Sequence, residues 1–135
     1  MAMPSNGPRP VRVLVVDDDA EMRTLLLEEL TRHGWEVAEA ADGDEAMLAC
    51  RAAAFHVILM DKNMPGASGL DLLPGFRRAW PQSHIIMMTA FGDASSLTEA
   101  TEKGAAEFLF KPFRIEDLTT TIRRVLRLEC RAHTS

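Results

Sequence analysis

The stretch Val57-Ile58-Leu59-Met60-Asp61-Lys62-Asn63-Met64-Pro65-Gly66 decides the fold. Its apolar residues run on without alternation, which marks a strand covered on both faces, as in parallel sheets. An acid ends the run, and Pro-Gly turns the chain soon after. Two other stretches repeat the plan. Val13-Leu14-Val15-Val16 runs into Asp17-Asp18-Asp19, and Phe108-Leu109-Phe110 runs into Lys111-Pro112-Phe113. If these strands are parallel neighbours, their charged ends meet in one crevice beyond the carboxyl edge of the sheet. Carboxylates gathered that closely repel unless a cation joins them. Hard oxygen donors of this kind suit Mg²⁺, which binds through one or two carboxylates plus water and phosphate oxygens.

Between these runs, strand-like and helix-like patterns alternate. Residues 11–16 predict a strand and 20–33 a helix, with Met22, Leu25, Leu26 and Leu30 at helical spacing and Gly34 as its stop. Residues 36–40 predict a second strand, closed by the turn Asp42-Gly43, and 44–53 an alanine-rich helix. After the strand 57–60 and a loop at 63–68, residues 69–80 predict a helix that Pro74 should kink or divide. Residues 85–88 predict a fourth strand. The helix 94–103 has Leu97 as its only large apolar residue, and Gly104 follows it. Residues 108–110 predict the fifth strand, and Ile115, Leu118, Ile122, Val125 and Leu126 an amphipathic last helix. Alternating strands and helices imply an α/β fold: a doubly wound, five-stranded parallel sheet with helices on both faces and right-handed crossovers.

A chain of 135 residues suits one domain. We read 1–10, with its prolines, as a flexible tail, 11–128 as the domain, and 129–135 as a tail or the start of a linker. The formal net charge of −5 argues against direct nucleic-acid binding. No apolar run approaches the roughly 20 residues of a membrane span, and no signal-peptide core opens the chain. Cys50 and Cys130 fit no metal-ligand spacing and read as free thiols in a reducing, cytoplasmic compartment, though a disulfide stays open.

The ordered motifs resemble the receiver domain of two-component response regulators, from about Val11 to Arg127. The matching features are Asp17-Asp18, Asp61 with Met64-Pro65-Gly66, Thr89-Ala90 and Lys111-Pro112, each after its own strand. Met88-Thr89-Ala90-Phe91-Gly92-Asp93 looks closest to receivers of the nitrogen-regulation type. The resemblance implies a flavodoxin-like receiver fold with strand order 2-1-3-4-5. It implies a bacterial phosphoprotein in which Asp61 takes a phosphoryl group from a sensor histidine kinase or a phosphotransfer protein. It implies Mg²⁺ (or Mn²⁺) held by Asp17, Asp18, Asp61 and the backbone carbonyl of Asn63, with Asp18 the direct ligand among the first two. It gives Lys111 the role of partner to Asp61 and then to the phosphoryl oxygens, through a cis Lys111–Pro112 bond. Thr89 and Phe108 are the implied switch pair. Further expectations are a downstream effector, a homodimer through the fourth helix, fifth strand and fifth helix, and no enzymatic turnover beyond self-phosphorylation and autodephosphorylation.

Each residue has a blander reading. Asp61 could merely end a strand, Lys111 could be solvated, Thr89 and Phe108 could be ordinary strand and core residues. Asp17-Asp18-Asp19 could be helix-capping acids, and we assign that task to Asp19 alone. Phe91 would shield an acyl phosphate from water. Arg114 stands where a capping Asp, Ser or Thr would serve the last helix better. A haloacid-dehalogenase-type phosphohydrolase also uses an Asp-x-Asp motif, but the hydroxyl or small residue expected after it is absent, since Glu21 follows Ala20. A pseudo-receiver would lack one of the acids or the lysine, and a flavodoxin would carry a Ser/Thr/Gly-rich loop after the first strand.

Overall fold

A computed structural model describes residues 10–90 and 94–134, without the side chains of 90, 94–96 and 128–134. Residues 1–9 of the expected tail at 1–10, and Phe91 with its shielding role, lie outside the described residues. Strands β1 (Arg12–Val16), β2 (Glu36–Ala40), β3 (Val57–Asp61), β4 (His84–Ala90) and β5 (Glu107–Lys111) alternate with five helices. These are α1 (Ala20–Arg32), α2 (Gly43–Ala52), α3 (Gly69–Ala79), α4 (Ala94–Lys103) and α5 (Ile115–Thr134). The strands form one parallel sheet in the order β2-β1-β3-β4-β5, as the resemblance implies.

The continuous apolar runs are central. β3 is buried at every residue and β1 at all but its first, while the edge strands β2 and β5 are only partly covered. Alternation along each strand feeds two cores. Val13, Val15, Val57, Leu59, Ile86 and Met88 face Leu26 and Leu30 of α1 and Leu118, Ile122 and Val125 of α5. Leu14, Val16, Ile58, Met60, Ile85 and Met87 face α2, α3 and α4. Cys50 lies in this second core, and burial pushes its thiol up to about 11, so it stays protonated and unreactive.

Caps explain where the helices begin. Asp19 Oδ1 accepts from the amides of Glu21 and Met22, as expected. Asp42 Oδ1 accepts from Glu45 N–H while Glu45 Oε1 accepts from Ala41 N–H. Ser68 and Asp71 form a reciprocal capping box on α3. The last helix makes do with Arg114, whose own N–H donates to Asp117 Oδ2 at 3.4 Å.

One expectation is corrected. Pro74 does not divide α3, which runs unbroken through Gly69–Ala79. The carbonyl that Pro74 leaves without a helical donor is that of Leu70, and Lys103 Nζ of α4 donates to it at 3.4 Å. The helix α5 itself runs on through Thr134.

Candidate functional site

The strand order reverses between β1 and β3, so the loops that follow them diverge and open a crevice. Register pairs Val16 with Met60, and the next residues are Asp17 and Asp61. Both fall on the alternation that faces α1 and α5. Leu109 lies in that core too, and Lys111 follows two positions later on the same alternation. Its four-carbon stem spans the distance back to the acids.

Asp17 is fully buried. Its Oδ1 accepts from Asp19 N–H at 2.9 Å and its Oδ2 from Lys111 Nζ at 3.1 Å. Its backbone is held as well: the N–H donates to Ala40 O at 3.1 Å, and the carbonyl accepts from Arg23 Nη1 at 2.6 Å. Arg23 is anchored in turn by Glu39 at 2.8 Å. The sequence reading does not single out Arg23, since a lone arginine on a helix carries no distinguishing pattern.

Asp61 is also buried, and Lys111 Nζ stands 3.4 Å from its Oδ1. One ammonium is therefore shared by two carboxylates, with Asp17 the nearer. Burial raises the pKa of Asp61, and the charge of Asp17 raises it further. The Lys111 charge and the Asn63 backbone N–H pull the other way without reversing the shift. Burial disfavours the charged Lys111, but the hydrogen bond it donates to Asp17 and the charges of Asp61 and Asp17 outweigh it, so its pKa is raised.

Asp18 completes the cluster from the exposed side. Carboxylate oxygens of Asp17, Asp18 and Asp61 all lie within 4.8 Å of one another. Three converging hard oxygen donors, one raised in pKa by burial and then by its neighbour's charge, fit a divalent cation such as Mg²⁺. Asn63 is exposed, and its backbone N–H bonds to the Asp61 carboxylate.

Thr89 lies at the same end of the sheet, on β4, and Phe108 on the neighbouring β5. Both follow the opposite alternation, with Met87, and line a partly open hollow with Lys62, Leu70 and Ala100. Thr89 is buried and Phe108 half-buried. The Lys111–Pro112 bond is cis, as the resemblance implies.

A doubly wound α/β domain with an acidic crevice at its switch point, closed by a lysine at the end of the last strand, defines the class. The family model for the response regulator receiver domain matches residues 13–123, and the chain belongs to that family. It is 35% identical over 115 residues to chemotaxis protein CheY of Thermotoga maritima, covering 84% of this chain and 96% of that one. It is 35% identical over 118 residues to the transcriptional regulatory protein ResD of Bacillus subtilis, covering 86% of this chain. The match takes in only 48% of ResD, so the chain spans about half that relative's length. Chemotaxis protein CheY4 of Vibrio cholerae superposes with a TM-score of 0.83 at 34% identity, covering 87% of this chain and 99% of that structure.

Proposed function

We propose that the chain is a phosphoacceptor switch in which Asp61 receives a phosphoryl group. The observation that carries this reading is the shared ammonium: Lys111 Nζ lies 3.1 Å from Asp17 and 3.4 Å from Asp61. A carboxylate oxygen of Asp61 attacks phosphorus of a phosphohistidine on a sensor kinase or phosphotransfer protein. The O–P bond forms, the P–N bond breaks, and the imidazole leaves with the electron pair. Asp17, Asp18, Asp61 and the Asn63 carbonyl would hold Mg²⁺ or Mn²⁺, which supplies charge neutralisation for the transferring group. Lys111 keeps contact with Asp17 while its ammonium turns from the Asp61 carboxylate to the new phosphoryl oxygens. The Thr89 hydroxyl donates to one of those oxygens as it moves inward, and Phe108 rotates into the hollow that the two residues share. The change leaves through the α4-β5-α5 face to an effector domain or protein, or to a second copy of the chain. Turnover is confined to the domain's own phosphorylation and dephosphorylation. Among the described residues no helix is long and apolar enough to cross a membrane.

The phosphohydrolase reading gains no support, because the Asp19 carboxylate is engaged in capping α1. Intact-mass spectrometry after incubation with acetyl phosphate tests the proposal. A Mg²⁺-dependent gain of one phosphoryl group, absent in Asp61→Asn, is expected. A gain that survives Asp61→Asn would assign the acceptor elsewhere.

A further inference from the structure

We infer that Gly69 is a positioning residue for Asp61: the first residue of α3 must lack a side chain so that the peptide carrying Asp61 can sit where it does. The inference rests on the proposed role of Asp61. Gly69 shows no left-handed backbone angle, unlike Gly34, Gly66 and Gly104, so it is there for room and not for conformation. A Cβ at this position would lie 2.5 Å from the Asp61 carbonyl oxygen, 2.8 Å from Met87 Cε and 3.1 Å from Lys62 Cα. The methionine methyl can swing away. The other two atoms are backbone at the end of a strand, where Lys62 N–H donates to Met88 O at 2.8 Å. Gly69 N–H donates to Lys62 O, also at 2.8 Å, and so closes the loop that carries Asn63. On the helix side, the Ser68–Asp71 capping box and the buried Leu70, Leu73 and Phe76 hold α3 in place. A side chain at 69 therefore displaces the Asp61–Lys62 peptide. That turns the Asp61 carboxylate away from Lys111 and from the Asn63 amide, and spreads the three-acid cluster.

The test uses Gly69→Ala, Met87→Ala, the double variant, and Gly75→Ala as a control. A Cβ on Gly75, in the same helix, would meet nothing within 4 Å. Mg²⁺ affinity is measured by calorimetry without phosphodonor, the acetyl phosphate reaction by intact mass, and folding by circular dichroism and urea. Gly69→Ala is expected to remain folded while Mg²⁺ affinity and phosphorylation rate each fall about tenfold, the scale of a misplacement below 1 Å. The double variant should show the same loss relative to Met87→Ala alone, and Gly75→Ala should match wild type in both readings. Unchanged Mg²⁺ affinity in Gly69→Ala overturns the inference. So does recovery in the double variant, because the added methyl would then have disturbed only the methionine. The comparison with Met87→Ala decides the matter even where Gly69→Ala alone is too unstable to assay. A wild type that binds Mg²⁺ but takes no phosphoryl group from acetyl phosphate would count against the acceptor role of Asp61 toward that donor and leave the Mg²⁺ comparison to judge Gly69.

Discussion

Lys111 holds two buried carboxylates with one charge, so its removal costs more than one ion pair. Lys111→Met leaves Asp17 and Asp61 facing each other without compensation. We expect a loss of about 2–3 kcal/mol in urea unfolding, below the full range for buried pairs because the lysine is 27% exposed. Mg²⁺ should restore part of it. A loss of only a few tenths of a kcal/mol, the size of an exposed pair, would mean that the lysine is solvated. Asp61 gives a prediction of opposite sign. Its pKa is raised in the folded state, so the native protein holds that proton more tightly than the unfolded chain. Stability is then highest below the unfolded value of about 4 and falls as pH rises through the folded pKa. At pH 7, without Mg²⁺, Asp61→Asn should therefore unfold at higher urea than wild type, with the gap closing below about pH 4. A gap independent of pH would show that charge is not its cause. At this scale the chain was readable by type and order: acids after β1 and at the end of β3, lysine at the end of β5. Proximity was not, for the nearer partner of Lys111 is Asp17, 94 positions away, and only the folded register reveals it.

The elements themselves were legible because each carries a pattern that local physics enforces. β2 and α4 begin and end where spacing predicts. β4 is longer than its apolar core because Thr89 and Ala90 pair with Phe110 and Lys111 of β5, a contact no local pattern encodes. The behaviour of Pro74 is likewise a matter of tertiary structure. Proline removes the donor to Leu70 O, and Lys103 replaces it from another helix. Lys103 also pairs with Glu99 at 2.8 Å, a contact worth a few tenths of a kcal/mol. In the wild type, Lys103→Met should cost about 1 kcal/mol, mostly through the unpaired carbonyl. In a Pro74→Ala background the restored amide takes that carbonyl, and Lys103→Met should cost only the Glu99 contribution. A double-mutant cycle in urea measures the difference, about 0.5–1 kcal/mol of coupling. Strict additivity would mean that Lys103 does not stand in for the missing amide.

Across the whole molecule the two faces of the sheet are unequally held. On one, α1 and α5 bury Leu26, Leu30, Leu118, Ile122 and Val125 against β1, β3 and β4. On the other, α4 contributes only Ala100 to the core among the described side chains, and a hollow lies beneath it between Thr89 and Phe108. Burying a leucine or isoleucine stabilises by roughly 1.5–3 kcal/mol, so an alanine leaves α4 little to resist a change at Asp61. Lys103 pins the C-terminal end of α4 to α3. Phosphorylation of Asp61 should therefore change amide exchange in β4 beyond Met88, in α4 and in β5, by at least about fivefold at the most affected amides, the low end of coupling between sites. Amides of β1 and β3 should change least, because their protection reflects global unfolding of a sheet core buried on both faces. The order within α4 adds a sharper condition: its N-terminal turns should respond more than the turn that carries Lys103. Uniform changes through α1 and α5 would contradict the packing argument. A uniform response along α4 would place the hinge outside the Lys103 contact. The low-energy part of this molecule would then be the whole helix, moving as one body on a sheet that does not move.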